Sequence, residues 1–428
     1  MIKEIAPCPR VEAAVYVPGS KSMTHRAIFM AALALGTTTL RGVLYSEDTT
    51  YTVDALKRLG INIWTEDNAL KIKGAAGRPD PPRDRTEIYI GNSGTTARFL
   101  CSLAALSKKE VLITGDERLK KRPMKSLLRV LVENGVDIDF LEEEWHLPVL
   151  IKGPLVGGLF LLPEAHSSQF VSSLLIVGPC ARSGMELAIK EPPFSKPYIR
   201  FTLEMMRRYG INYWASDDLR LFRIPPQPYR SRDITIEGDA SSAAYFWAAA
   251  AATKGSMSII NIPSRSKQPD IGFLKVLKEM GCDIKHDRMG LTVKAETGLV
   301  GVDVDMNDMP DQVPTLAVLG LFAEGRTIIR NVEHLRGKES DRIQALVNEI
   351  SKIGGKIKEI DNGLVVEGGN VDALHGAEIE TYNDHRIAMS FAVAGLRVKG
   401  IKIKNPECVK KSYPDFWKDW ERACYGKA

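Results

Sequence analysis

Thr381-Tyr382-Asn383-Asp384-His385-Arg386 runs directly into the apolar stretch 387–396, and it is the last of six such junctions in the chain. Each junction sets polar, chemistry-capable residues immediately ahead of an Ala-rich apolar segment long enough to form a helix. Earlier instances are Ser20-Lys21-Ser22 before 27–35, Asn92-Ser93-Gly94-Thr95 before 99–106, and Ser167-Ser168-Gln169 before 170–177. Asp239-Ala240-Ser241-Ser242 then precedes 243–252, and Asp311-Gln312 precedes 316–322. Taking Ser22, Ser93, Ser168, Ser241, Asp311 and Asp384 as markers, the steps are 71, 75, 73, 70 and 73 residues. Six units of that length account for nearly all 428 residues, so the chain reads as a sixfold repeat.

A second marker has the same period. Gly60, Gly135, Gly210, Gly281 and Gly354 each end a helical pattern and precede a short alternating segment, where Gly supplies the left-handed turn that closes a helix. Turn signals follow, among them Arg288-Met289-Gly290 and Asp361-Asn362-Gly363, and Asn-Gly favours a tight hairpin. Each unit therefore reads as βαβαββ. A chain of this length divides into two cores, giving an α/β protein of two domains with three units each. The proline-rich run Pro225-Pro226-Gln227-Pro228-Tyr229 marks one break and Val17-Pro18-Gly19 the other. The expected domains are 18–229 and a discontinuous 1–17 plus 230–428, joined by a two-strand hinge. The sixth unit runs out near 417–420 without a hairpin, and residues 2–17 are expected to supply its missing strands.

Bulk properties exclude several classes. Apolar content of 44% and charged content of 26% are those of a globular protein, and no apolar run reaches the ~20 residues of a membrane span. The six cysteines are scattered with no Cys-x-x-Cys pair, which speaks against a zinc site or disulfide framework and suits a reducing cytoplasm. The N-terminal residues lack a signal-peptide core. A net charge of +5 is compatible with an anionic substrate and too small and dispersed to indicate nucleic acid.

Helix N-termini carry unpaired N–H groups and about half a positive charge. Ser22 with Arg26, Thr95 with Arg98, and Lys338 with Arg342 are three or four residues apart, so each pair shares a helix face. Cap, dipole and cation together suit phosphate and carboxylate groups. If the six helix starts converge, they form a site for a polyanionic ligand.

The motifs that carry these residues resemble the 5-enolpyruvylshikimate-3-phosphate synthase family (3-phosphoshikimate 1-carboxyvinyltransferases). The matching segments are Pro18-Gly19-Ser20-Lys21-Ser22-Met23-Thr24-His25-Arg26-Ala27, Gly91-Asn92-Ser93-Gly94-Thr95-Thr96, Lys121-Arg122-Pro123-Met124 and Ser167-Ser168-Gln169-Phe170. Further on come Ser195-Lys196-Pro197-Tyr198, Pro310-Asp311, Arg336-Gly337-Lys338-Glu339-Ser340-Asp341-Arg342, Thr381–Arg386 and Lys411-Ser412-Tyr413-Pro414-Asp415. They keep family order from 18 to 415. The resemblance implies two inside-out α/β domains and transfer of the enolpyruvyl group of phosphoenolpyruvate to the 5-hydroxyl of shikimate 3-phosphate, with release of phosphate. It implies neither metal nor organic cofactor, the two small-molecule substrates as ligands, a cytoplasmic monomer, and inhibition by glyphosate.

Residue by residue, the resemblance makes Asp311 and Glu339 the acid/base carboxylates, with Lys21 and Lys411 beside them. Which of these groups moves which proton stays open. Shikimate 3-phosphate would meet Lys21, Ser22, Arg26, Ser167, Ser168, Gln169, Ser195, Tyr198, Asp311 and Lys338. His334 joins that set, standing where many relatives have an Asn that touches the substrate. Phosphoenolpyruvate would meet Lys21, Gly94, Arg122, Gln169, Arg342, Arg386 and Lys411, with Arg suited to both its anionic groups by a planar fork. Phe99 follows Arg98 where many plant and enteric members have Pro. Two other readings are a transferase acting on UDP-N-acetylglucosamine and a non-catalytic anion binder. The first usually carries a reactive Cys on the loop before its Arg-Pro, and 114–123 has none. The second would have no use for two carboxylates in an anion pocket.

Overall fold

The computed structural model describes residues 1–165, 167–287 and 290–426, so Arg288 and Met289 of one expected turn lie outside the described residues. The chain divides into two compact units, Lys21–Ile236 and Met1–Ser20 with Glu237–Ala428. Five four-stranded sheets share one plan, in which a parallel pair is followed by an antiparallel hairpin. In one of them Arg85–Tyr89 runs parallel to Glu110–Thr114, which pairs antiparallel with Val149–Lys152 and through it with Asp137–Phe140. Parallel neighbours need a crossover, and here it is the helix Gly94–Ala104. The five repeated glycines have φ between 80° and 102°, where a Cβ would cost about 1–2 kcal/mol. Each turns the chain out of its unit's second helix and into the hairpin.

The first helix of each unit is buried nearly all round. All thirteen residues of Ala240–Ala252 are buried, as are ten of the eleven in Gly94–Ala104. A helix apolar on every side has to be enclosed. The strands instead alternate, as in Arg85–Tyr89, where Thr86 and Ile88 are buried and the other three residues exposed. Helices therefore lie inside and sheets outside in each unit, around a separate hydrophobic core. Small hydroxyls allow close helix approach: Ser102 Oγ donates to Ser173 Oγ at 2.9 Å, and Thr315 and Ser390 hydroxyls lie 3.2 Å apart.

The crossings between the units depart from the sequence reading. They fall at Ser20–Lys21 and Ile236–Glu237, rather than at 17–18 and 229–230. The physical reason is strand pairing. Asp233–Thr235 lies parallel to Thr37–Arg41 and so opens the first sheet, which keeps it with the earlier unit. Residues 2–17 are also divided. Ile2–Glu4 pairs with Lys402–Lys404 in the sixth unit, as expected, whereas Glu12–Val15 runs parallel to Ser256–Ile259 and opens the fourth. The crossing segments are clipped together by Ser20 N donating to Glu237 O and Asp239 N donating to Pro18 O, each at 2.8 Å. Among the described residues no helix is long and apolar enough to cross a membrane.

Candidate active site

In the unit Lys21–Ile236, Lys21 opens the helix Lys21–Leu33 and its ammonium pairs with the Asp48 carboxylate. Asp48 stands in the first turn of Glu47–Arg58, which is started by a Ser46–Thr49 capping box. Sequence reasoning did not anticipate Asp48. Its local pattern reads as an ordinary helix start, and a partner 27 residues from Lys21 leaves no signal in spacing.

Arg26 turns inward. Nε donates to Thr202 Oγ1 at 2.7 Å and Nη1 to the Ser22 carbonyl at 3.0 Å. Nη2 donates to Ser172 Oγ at 3.3 Å and the Tyr198 carbonyl at 3.4 Å. All four acceptors are uncharged, the residue is 2% exposed, and burial lowers its pKa to about 10. Aromatic rings of Phe99, Tyr198 and Phe201 surround it at 5.6 to 6.0 Å. The arrangement holds the Ser22 end of one helix against the helix Lys196–Arg208, which begins at Ser195 in left-handed conformation with φ 54°.

The second and third helix starts are joined side chain to side chain. Ser167 Oγ caps Ser168–Val177 by accepting from Gln169 N at 3.3 Å, and Gln169 Nε2 donates to Thr95 Oγ1 at 3.1 Å. Arg122 is buried against Gly94: a Cβ built there would lie 2.5 Å from Nη1 and 2.6 Å from Cζ. Arg98 braces this junction, donating to the Gly94 carbonyl and to the Pro123 carbonyl, each at 3.1 Å. The structure thus brings Gly94, Arg122 and Gln169 to one end of the central helices. Ser168 and Tyr198 are buried beside those starts, at 7% and 9% exposure.

The other unit is organised around one guanidinium. Arg342, 1% exposed, donates Nη1 to Asp311 and Nη2 to Glu339, both at 2.9 Å, and Nε to Asp384 at 2.8 Å. Arg386 Nη2 donates to the second Asp311 oxygen at 2.6 Å, and its Nη1 to Tyr245 Oη at 3.2 Å. Asp384 caps the helix His385–Gly395 through Arg386 N and also accepts from Ser340 Oγ at 3.0 Å. Both expected carboxylates are therefore fixed by one buried cation. Arg342, expected to meet phosphoenolpyruvate, has each guanidinium nitrogen on a carboxylate.

The charges tune one another. Burial alone would raise the Asp311 pKa, but Arg386, Lys338 and Arg342 outweigh it and hold the carboxyl well below its usual range. Burial penalises the Arg342 cation, yet Asp384, Glu339 and Asp311 more than compensate and its pKa rises. Burial, aided by Lys338, brings His334 down to about 3, so this ring is neutral near pH 7. Lys411 is 7% exposed at the end of the short helix Pro406–Lys411. Tyr245, raised to about 12 by burial, is a further member that no motif signalled. Among the described residues no group of three or more His, Cys, Asp or Glu is placed to hold a metal ion.

Comparison with known proteins places the chain in one family. The profile of EPSP synthase (3-phosphoshikimate 1-carboxyvinyltransferase) matches residues 5–420. A 3-phosphoshikimate 1-carboxyvinyltransferase of Syntrophobacter fumaroxidans is 41% identical over 423 residues, covering 99% of each chain. One of Trichormus variabilis is 39% identical over 408 residues, covering 95% of each. The solved EPSP synthase of Acinetobacter baumannii superposes with a TM-score of 0.81 at 29% identity, covering 99% of this chain and 98% of that one. The chain belongs to the EPSP synthase (3-phosphoshikimate 1-carboxyvinyltransferase) family.

Proposed function

We infer that the chain transfers the enolpyruvyl group of phosphoenolpyruvate to the 5-hydroxyl of shikimate 3-phosphate, releasing phosphate. The observation that carries this reading is the pairing of Asp311 and Glu339 on the buried Arg342 guanidinium, in a chain that matches the family over nearly its whole length. In the addition step the 5-hydroxyl loses its proton, its oxygen bonds to C2 of phosphoenolpyruvate, and C3 takes a proton to become a methyl group. In the elimination step C3 gives a proton back and phosphate leaves C2. Both steps need a proton donor and acceptor beside stationary cations.

Asp311 and Glu339 carry the protons, with Lys21 and Lys411 beside the reacting atoms. Arg122, Arg342, Arg386, Gly94 and Gln169 receive phosphoenolpyruvate together with those lysines. Shikimate 3-phosphate takes Ser22, Arg26, Ser167, Ser168, Gln169, Ser195, Tyr198, His334 and Lys338, together with Lys21 and Asp311. An Asp311 held so acidic is a poor base, because useful proton transfer needs a pKa nearer the working pH. Phosphoenolpyruvate resolves this by competing for Arg386. Once an anionic group of the substrate takes over that guanidinium, Asp311 loses its largest stabilising charge and its proton affinity rises. Substrate binding then switches the base on.

The enzyme acts as a cytoplasmic monomer, and glyphosate competes with phosphoenolpyruvate. A phosphate-release assay tests the central reading. Release should require shikimate 3-phosphate and phosphoenolpyruvate together. No release, or release when UDP-N-acetylglucosamine replaces shikimate 3-phosphate, would overturn it.

A further inference from the structure

Apart from the residues assigned above, the helix Glu47–Arg58 and the strands Asn62–Glu66 and Ala69–Lys73 border a cavity of about 220 Å³. Its floor is made by Ile28, Ile63 and Leu70, all buried. Tyr45 and Trp64 stand at its mouth, 56% and 36% exposed. Interiors normally close such voids, and an apolar floor with a few polar groups at the rim is the make-up of a small-molecule site. An apolar cavity of roughly 150 Å³ already accepts benzene, so this one has room for a ring with a substituent.

The charge of that substituent follows from Lys57. It lines the cavity from the last turn of Glu47–Arg58 and forms no ion pair among the described residues, although Asp54 is only three residues earlier. The nearby hairpin charges Glu66 and Lys71 are paired with each other at 3.5 Å. The rim therefore offers one unengaged cation and two aromatic faces. We propose that this cavity binds a small aromatic carboxylate, its ring on Ile28, Ile63 and Leu70 between Tyr45 and Trp64, and its carboxylate on Lys57. An amine on the same ring would meet Lys57 with like charge, and an uncharged alcohol would forgo the ion pair.

The test uses the full chain labelled with 5-fluorotryptophan. Its six tryptophans give separate ¹⁹F resonances, and Trp64→Phe identifies the one at the cavity. Benzoate should shift the Trp64 resonance saturably, more tightly than benzyl alcohol, and benzylamine should leave it in place. Lys57→Glu should weaken benzoate by about tenfold or more, what one charge contact near a surface is worth. Val53→Phe, which puts a ring into the cavity from its half-buried wall, should abolish the shift. Neither Lys57 nor Val53 is assigned to the reaction, so both variants should keep wild-type turnover, which checks their folding. A Trp64 resonance unmoved by benzoate would overturn the site, as would equal affinity in wild type and Lys57→Glu, or equal binding of benzylamine.

Discussion

Replacing Gly94 by Ala should damage phosphoenolpyruvate binding through Arg122. The added methyl carbon would stand 2.5, 2.6 and 2.7 Å from Nη1, Cζ and Nη2 of that guanidinium, whereas ordinary contact begins at 3.4 Å. The guanidinium must therefore retreat by about 0.8 Å, and at 5% exposure it has little free space to do so. A hydrogen bond stretched by that amount passes from about 2.9 Å to beyond the useful limit. Bonds to charged groups contribute about 1.5–3 kcal/mol, and 1.4 kcal/mol is tenfold. The KM for phosphoenolpyruvate should rise by about one to two orders of magnitude, measured by phosphate release at saturating shikimate 3-phosphate. Glyphosate, expected to compete there as a longer mimic, should lose more affinity than the substrate does. In an Arg122→Ala background the same substitution should add little, because the two changes act on one contact. A KM within twofold of wild type, or equal glyphosate inhibition constants, would show that Gly94 does not line the site.

Glu339→Gln should lower kcat by about two to four orders of magnitude, the range of acid–base contributions, with shikimate 3-phosphate affinity by calorimetry nearly unchanged; near-normal turnover would remove Glu339 from the chemistry. Asp384→Ala takes one of three carboxylates from the buried Arg342 and removes the acceptor of Ser340 Oγ and Arg386 N, and should destabilise that unit by about 1.5–3 kcal/mol. A urea-unfolding loss under about 1 kcal/mol would contradict it. His334 has a folded pKa of about 3, below the unfolded value of about 6.5. The unfolded chain binds the proton first, so this contribution is fully present above about pH 6.5 and is lost as pH falls toward 3. His334→Asn should flatten that part of the stability–pH curve, and an unchanged slope would refute a buried neutral ring.

The repeat was legible because all six units write a helix start in polar caps and five of them write a helix end in glycine. Those signals are local and recur at one period. The strands Glu12–Val15 and Asp233–Thr235 were not legible as openers of distant sheets. They are four and three residues long, too short for periodicity, and their partners are fixed by topology. Motifs supplied the list of site residues but not how their charges are used. Asp384 was visible as a repeat marker and within the motif Thr381–Arg386, but not as the fully buried clamp on Arg342 that it is. Arg26 and Ser22 were correctly placed on one helix, but spacing cannot say that the guanidinium turns to Thr202 and Ser172. Asp48 sits on the second helix of Lys21's own repeat, and Tyr245 lies two repeats before Arg386, so both pairs meet only after folding.

The borrowed strands also set a timetable for synthesis. Glu12–Val15 has no sheet to join until residues 256–259 exist, and Ile2–Glu4 waits for 402–404. At about 5–20 residues per second, a ribosome keeps these strands single for roughly 10–50 s and 20–80 s. By contrast, Lys21–Ile236 contains every strand of its three four-stranded sheets as soon as residue 236 is made. The waiting segment carries Pro7, Pro9, Arg10 and Glu12, residue types that discourage an unpaired strand from recruiting another chain. A nascent chain stalled between 260 and 400 would thus hold one finished unit and a second whose first residues still lack their place.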